Sequence, residues 1–190
     1  MKNPVPQRLA KEISEILISK AQLAARVEEI ASAIEKDYEG KELVIVSLLN
    51  GTVVFLADLI RHLTLPVRLD FIGVSSYRMS TTSGDLVFTK ELMLDIAGKD
   101  VLLVDDILDT GKTLTRVRDI MLKLKPNSIK TCVLFNKEAR RTSPIKANYV
   151  GFDIPDTFIV GYGLDFAEKY RNLPFVGVLH PDILKGGEHA

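Results

Sequence analysis

An α/β domain with a mostly parallel sheet flanked by helices is what the sequence predicts, on three observations. Short apolar runs recur at residues 43–46, 101–104 and 129–135. They are too short for helices and apolar on both faces, as strands buried between two helix layers are. Between them lie segments with apolar residues at three- and four-residue spacing, the period of a helix that buries one stripe. Strands that alternate with helices build a mostly parallel sheet with right-handed connections.

The first long helix begins at Ser19, with Gln22 three positions on, a pair that caps a helix start reciprocally. It runs to about Tyr38, with Leu23, Val27, Ile30, Ala31 and Ile34 as its apolar stripe and Gly40 as its stop. The strand at 43–46 follows, then a turn at Asn50-Gly51-Thr52 and a second helix with Val53, Leu56, Ile60 and Leu63 inward. Pro66 precedes a strand at 67–74.

Residues 75–86 hold six Ser or Thr in twelve positions. That is loop composition, open to two readings: a surface excursion or a functional lid. A returning hairpin strand is expected at 87–94. Next come the strand at 101–104, an acidic turn over 105–111, and a helix at 112–124 with Leu114, Val117, Met121 and Leu124 inward. Pro126 and Asn127 break it, and the strand at 129–135 carries Cys132. Short late strands are expected at 148–152, 158–160 and 175–179. With no repeat, low-complexity tract or linker, residues 1–190 read as a single domain.

Twenty-five Lys plus Arg balance 25 Asp plus Glu, a net charge of zero. Affinity for nucleic acid rests on surplus cations facing phosphates, so no nucleic-acid partner is expected. Hydrophobic residues at 46% and charged residues at 26% fit a globular domain. Cys132 is the one cysteine and cannot form an intramolecular disulfide, which points to the cytoplasm. Residues 1–10 are too polar for a signal-peptide core. The most apolar stretch, 43–57, is broken by Ser47, Asn50, Gly51 and Thr52 and falls short of the ~20 residues that span a bilayer, so no membrane association is expected.

Chemistry concentrates at 101–113. Asp105, Asp106 and Asp109 follow a buried strand, at the end where open α/β sheets bind ligands. Thr110-Gly111-Lys112-Thr113 opens the next helix, whose free amides suit a phosphate. Carboxylates beside an anion site make sense for a ligand that is both phosphorylated and polyhydroxylated, with room for a divalent cation. A nucleoside-triphosphate P-loop is a poor reading, because Asp106 stands where that motif needs its first Gly. Simple helix capping explains Asp109 or Thr110 alone, not three acids. Cys132 reads as a small core residue, and His62, His180 and His189 lack metal-ligand spacing.

The run 102–113 resembles the phosphoribosyl diphosphate signature of type I phosphoribosyltransferases. Residues 48–51, 74–77, 150–165 and 168–174 resemble the hypoxanthine-guanine phosphoribosyltransferases, the bacterial ones in particular, and the likeness covers about 16–183. It implies the type I phosphoribosyltransferase fold: a core of about 38–160 and a small hood from about 10–19 and 161–190. It implies purine salvage, with hypoxanthine and guanine converted to IMP and GMP at the expense of phosphoribosyl diphosphate, Mg²⁺ as cofactor, and a homodimer or homotetramer.

Residue by residue, the resemblance implies that Thr110, Gly111, Lys112 and Thr113, with the backbone of Asp109, cradle the 5-phosphate. Asp105, where relatives usually have Glu, and Asp106 would hold the ribose hydroxyls. Asp109 would be the general base, in a carboxylate cluster that can raise one of its members. Asp165 would bind Mg²⁺, and Arg171 would meet the diphosphate. Lys137 would donate to the 6-oxo group, Phe158 would stack on the purine, and Ile159 would offer backbone groups to the base edge. Asn50-Gly51 would hold diphosphate through main-chain amides, often around a non-proline cis peptide. Ser76 and Tyr77 would close over the site, which favours the lid reading. Arg140 and Arg141 receive no role. The rivals are a xanthine-specific transferase and a phosphoribosyl-diphosphate-sensing regulator that binds RNA; zero net charge and the presence of Asp109, Lys137 and Asp165 weigh against the second.

Overall fold

The computed structural model describes residues 4–75 and 87–186. Ser76 and Tyr77 lie outside the described residues. The elements are β1 (Ile13–Ile18), α1 (Lys20–Asp37), β2 (Leu43–Leu49), α2 (Val53–Arg61), β3 (Val67–Ser75), β4 (Val87–Lys90), β5 (Asp100–Leu108), α3 (Lys112–Leu122), β6 (Ser128–Asn136), β7 (Tyr149–Asp153), β8 (Ile159–Val160), β9 (Val176–Leu179) and α4 (Pro181–Gly186). A six-stranded sheet has the order β4-β3-β2-β5-β6-β7, parallel except for the antiparallel edge strand β4.

Side chains alternate across this sheet, and each face meets its own helices. Leu102, Val104, Cys132 and Leu134 pack with α1 and α2, while Val101, Leu103 and Val133 pack with Leu114, Val117 and Met121 of α3. The α1 stripe is buried as its period requires, and Ser19 and Gln22 form the reciprocal cap. A second, antiparallel sheet of order β1-β9-β8 has its own small core of Ile13, Val160, Leu173, Phe175 and Leu179.

Four details differ from the sequence reading. Asp105 and Asp106 belong to β5 and not to a turn, because pairing with β6 continues through Asp105↔Val133, Ile107↔Phe135 and Leu108↔Asn136. Helix α2 buries Phe55, Leu56 and Leu59 and leaves Val53 48% exposed. Leu56, Ile60 and Leu63 pack on the core as their spacing predicts, so the departure is confined to Val53, with Phe55 and Leu59 added to the inward face. Helix α3 ends at Leu122; Lys125 turns left-handed and Leu124 stays exposed. The return strand ends at Lys90, because the Met93 and Leu94 amides donate to the buried Asp70 carboxylate instead of to a neighbouring strand.

Candidate active site

Strand β5 delivers Asp105 and Asp106 to the carboxyl edge of the sheet, and the 108–111 loop carries Asp109 and Thr110 to the start of α3. Together with Gly111 and Thr113 they line a cavity of about 250 Å³. The loop's carbonyls are engaged from behind. Arg141 donates to Asp109 O at 2.8 Å and to Leu108 O at 3.0 Å, while Thr142 and Ser143 amides reach Thr110 O at 3.0 and 3.1 Å. With its carbonyls committed to that side, the loop can offer the opposite polarity, amide N–H groups at a helix start, to a phosphate. Gly111 is required here: its φ is +81°, and an added Cβ would press on Ile145, Ser143 and Arg141.

Arg141 is the residue that sequence reasoning missed. It also donates to Asn136 Oδ1 at 2.6 Å and Ile145 O at 3.0 Å, so one guanidinium joins the end of β6 to the 108–111 loop. Its partners are carbonyls up to 33 positions away, which leave no local pattern.

The acids differ sharply among themselves. Asp105 and Asp106 titrate above the ordinary carboxylate range, chiefly because burial disfavours their charged forms. Charge on Asp106 adds to the rise at Asp105, whereas Arg171 moderates that at Asp106. Asp109 Oδ1 is buried without a hydrogen-bond partner, and its Oδ2 lies 3.7 Å from Arg140.

Asn50, Gly51 and Thr52 link β2 to α2, and the Leu49–Asn50 peptide is cis. Thr52 Oγ1 donates to Leu48 O and accepts from Ser47, which ties the turn to its own strand. Asn50 is exposed. Gly51 faces the Asp106 carboxylate so closely that no side chain fits, and Gly163 approaches the Gly51 carbonyl in the same way. Arg171 donates to Gly163 O at 2.9 Å and pairs with Asp165 at 2.9 Å, so Asp165 and Arg171 join this group. Asp165 also accepts from the Glu168 amide at 3.0 Å.

At the other end, Lys137 follows β6 and is only 6% exposed. Its amide donates to Leu108 O at 3.0 Å, and its Nζ reaches Asp156 Oδ1 at 2.8 Å and Thr157 O at 3.1 Å. Phe158 is 43% exposed and meets Phe166 edge-on, ring centroids 5.4 Å apart, while Ile159 is buried at the start of β8.

A phosphoribosyl transferase domain model matches residues 13–167. The chain belongs to the phosphoribosyltransferase family. Among family members, the hypoxanthine-guanine phosphoribosyltransferase of Streptococcus thermophilus is 43% identical over 176 residues, 92% of this chain and 98% of that one. The hypoxanthine phosphoribosyltransferase of Salmonella typhimurium is 45% identical over 171 residues, 88% and 96% of the two chains. A solved phosphoribosyltransferase structure, that of the Staphylococcus aureus hypoxanthine enzyme, superposes with a TM-score of 0.89 at 39% identity, over 95% of this chain and 98% of that one.

Proposed function

We propose that this phosphoribosyltransferase acts in purine salvage, moving the 5-phosphoribosyl group of phosphoribosyl diphosphate onto hypoxanthine, and onto guanine, with release of diphosphate. The observation that carries the reading is the placement of Lys137. The main-chain amide of Lys137 donates to the carbonyl just before Asp109, and its buried ammonium uses two of its three N–H groups to donate to Asp156 and to the Thr157 carbonyl. The third suits the 6-oxo group of a purine that stacks on the exposed face of Phe158, with Ile159 main-chain groups at the base edge. A 6-amino purine would set donor against donor, a mismatch that buried polar sites reject strongly.

Thr110, Gly111, Lys112, Thr113 and the Asp109 backbone hold the 5-phosphate in this reading. Asp105 and Asp106 take the ribose hydroxyls, whose donated hydrogen bonds offset the cost of ionising two partly buried acids. The unpartnered Asp109 Oδ1 receives the proton that the five-membered ring of the purine loses as the glycosidic bond forms. Gly51 and Asn50 amides and Arg171 hold the diphosphate, and Ser76 and Tyr77 close over it.

Asp165 fits a Mg²⁺ ligand. Its carboxylate is 27% exposed, and Arg171 and the Glu168 amide leave lone pairs open. A single protein carboxylate completed by phosphate and water is a common way to hold this ion. Asp165 would hold Mg²⁺, which would supply positive charge against the diphosphate leaving group.

No described helix is long and apolar enough to cross a membrane, and a cytoplasmic homodimer or homotetramer is the state we propose. An apolar groove of about 410 Å³ between α2 and β3, with Val53 and Leu69 at its rim, is a surface such an assembly can cover. Initial rates with hypoxanthine, guanine, xanthine and adenine, with and without Mg²⁺, test the proposal. Turnover of hypoxanthine or guanine that EDTA abolishes is expected; no turnover of either base overturns it.

A further inference from the structure

The loop after β8 runs through three consecutive residues with positive φ: Gly161 at 100°, Tyr162 at 52° and Gly163 at 104°. Glycine adopts such angles freely, but tyrosine does so only where its surroundings over-determine it. Tyr162 is 6% exposed; its amide donates to Leu173 O at 2.9 Å, and its hydroxyl donates to Asp58 Oδ2 at 2.6 Å. Burial and the Asp58 carboxylate both push the phenol's pKa up, which keeps it a donor. The other Asp58 oxygen faces the exposed Arg61 at 3.7 Å, so Oδ2 is left to Tyr162.

Both ends of this contact lead to the diphosphate region. Asp58 sits on α2, the rigid continuation of the 50–52 turn. Tyr162 precedes Gly163, which touches the Gly51 carbonyl and accepts from Arg171, itself paired with Asp165. We infer that Tyr162 and Asp58 are a positioning pair that sets the spacing between the main-chain turn at Gly51 and the loop bearing Asp165 and Arg171, and so governs affinity for phosphoribosyl diphosphate and free diphosphate. The pair touches neither substrate, and the inference rests on the diphosphate site proposed above. A hydrogen bond to a charged group is among the stronger single contacts, and a small change of spacing weakens every bond to a multidentate ligand at once.

The test compares wild type with Tyr162→Phe and Asp58→Ala. In both variants the KM for phosphoribosyl diphosphate is expected to rise about tenfold while the KM for hypoxanthine, measured at saturating co-substrate, stays within about twofold. The double variant is expected to be no worse than either single one, the signature of one shared contact. Calorimetric titration with magnesium diphosphate needs no purine: weaker binding in the variants of a protein that turns over no purine would retain the pair and reject the substrate reading. Unchanged affinity for both ligands, with only a lower unfolding midpoint in urea, overturns the inference, as does an equal rise in both KM values. If Tyr162→Phe does not fold, Asp58→Ala, on a half-exposed helix position, gives the same readouts.

Discussion

Asp70 on β3 and the Asp105–Asp106 pair on β5 are carboxylates of one sheet, both withdrawn from water, yet they titrate in opposite directions. Each of the three accepts from the amide of the next residue, which for Asp70 is Phe71 N at 2.7 Å. Asp70 has three donors more: Lys90 Nζ at 2.8 Å, Met93 N at 2.5 Å and Leu94 N at 2.7 Å. Those bonds outweigh the desolvation of Asp70 and hold its pKa down at about 2. At Asp105 and Asp106 the cost of burial outweighs the hydrogen bonds they accept, and both are pushed up. The sign follows from a balance: four donors outweigh desolvation at Asp70, whereas desolvation prevails at Asp105 and Asp106, and the charge of Asp106 adds to it at Asp105. A fully supplied carboxylate closes a structural knot, whereas an under-supplied pair beside a cavity is left for donors that arrive with a ligand.

The sharpest way to test this division is to remove the most under-supplied acid. Asp109→Asn keeps the shape of the loop, whose brace is made to backbone atoms, but replaces the proton-accepting carboxylate with an amide that is not basic. Turnover is expected to fall at least about a hundredfold, while calorimetry shows phosphoribosyl diphosphate binding within a few-fold of wild type. Unchanged turnover would refute the base assignment.

Asp70→Asn is the opposite case. The folded-state pKa lies below the ordinary value of 3.8, so the group adds stability above that pH and loses it as pH falls towards about 2. The shift corresponds to roughly 2 kcal/mol of stability at neutral pH. Urea unfolding should show that loss at pH 7 and little of it near pH 2. Specific activity of the folded variant is expected to match wild type, and a large fall in kcat would show that the knot belongs to the site after all.

The division was partly legible in the residues. Asp105, Asp106 and Asp109 are neighbours in sequence, follow an apolar strand and precede Thr-Gly-Lys-Thr, so a contiguous pattern announces them. Helix α1 was equally plain, because eighteen residues sample its period five times and a capping pair marks its start. Contacts between distant residues were not legible. Arg141 meets the 108–111 loop 32 and 33 positions away, Tyr162 meets Asp58 across 104, and Asp70 draws three of its donors from 20 to 24 positions downstream. Each of these residue types reads as an ordinary surface or core choice until the topology brings its partner. On α2 the reading went astray at its first residue alone: Leu56, Ile60 and Leu63 pack on the core and Val53 is exposed.

Asp105→Asn carries the smallest expected effect and joins the two halves of the comparison. An acid whose folded-state pKa is raised holds its proton better when folded, so it favours the native state at low pH. It then costs stability as pH rises from the unfolded value near 3.8 through the raised one. The amide does not ionise, so the variant should match wild type in urea below about pH 3.8 and become the more stable of the two towards pH 8. The same substitution removes an acceptor for a ribose hydroxyl, and the KM for phosphoribosyl diphosphate is expected to rise about tenfold. Stability gained together with affinity lost is what a site held under-supplied for its ligand requires. A variant destabilised at pH 8 would instead place Asp105 with Asp70, as a carboxylate the fold itself needs.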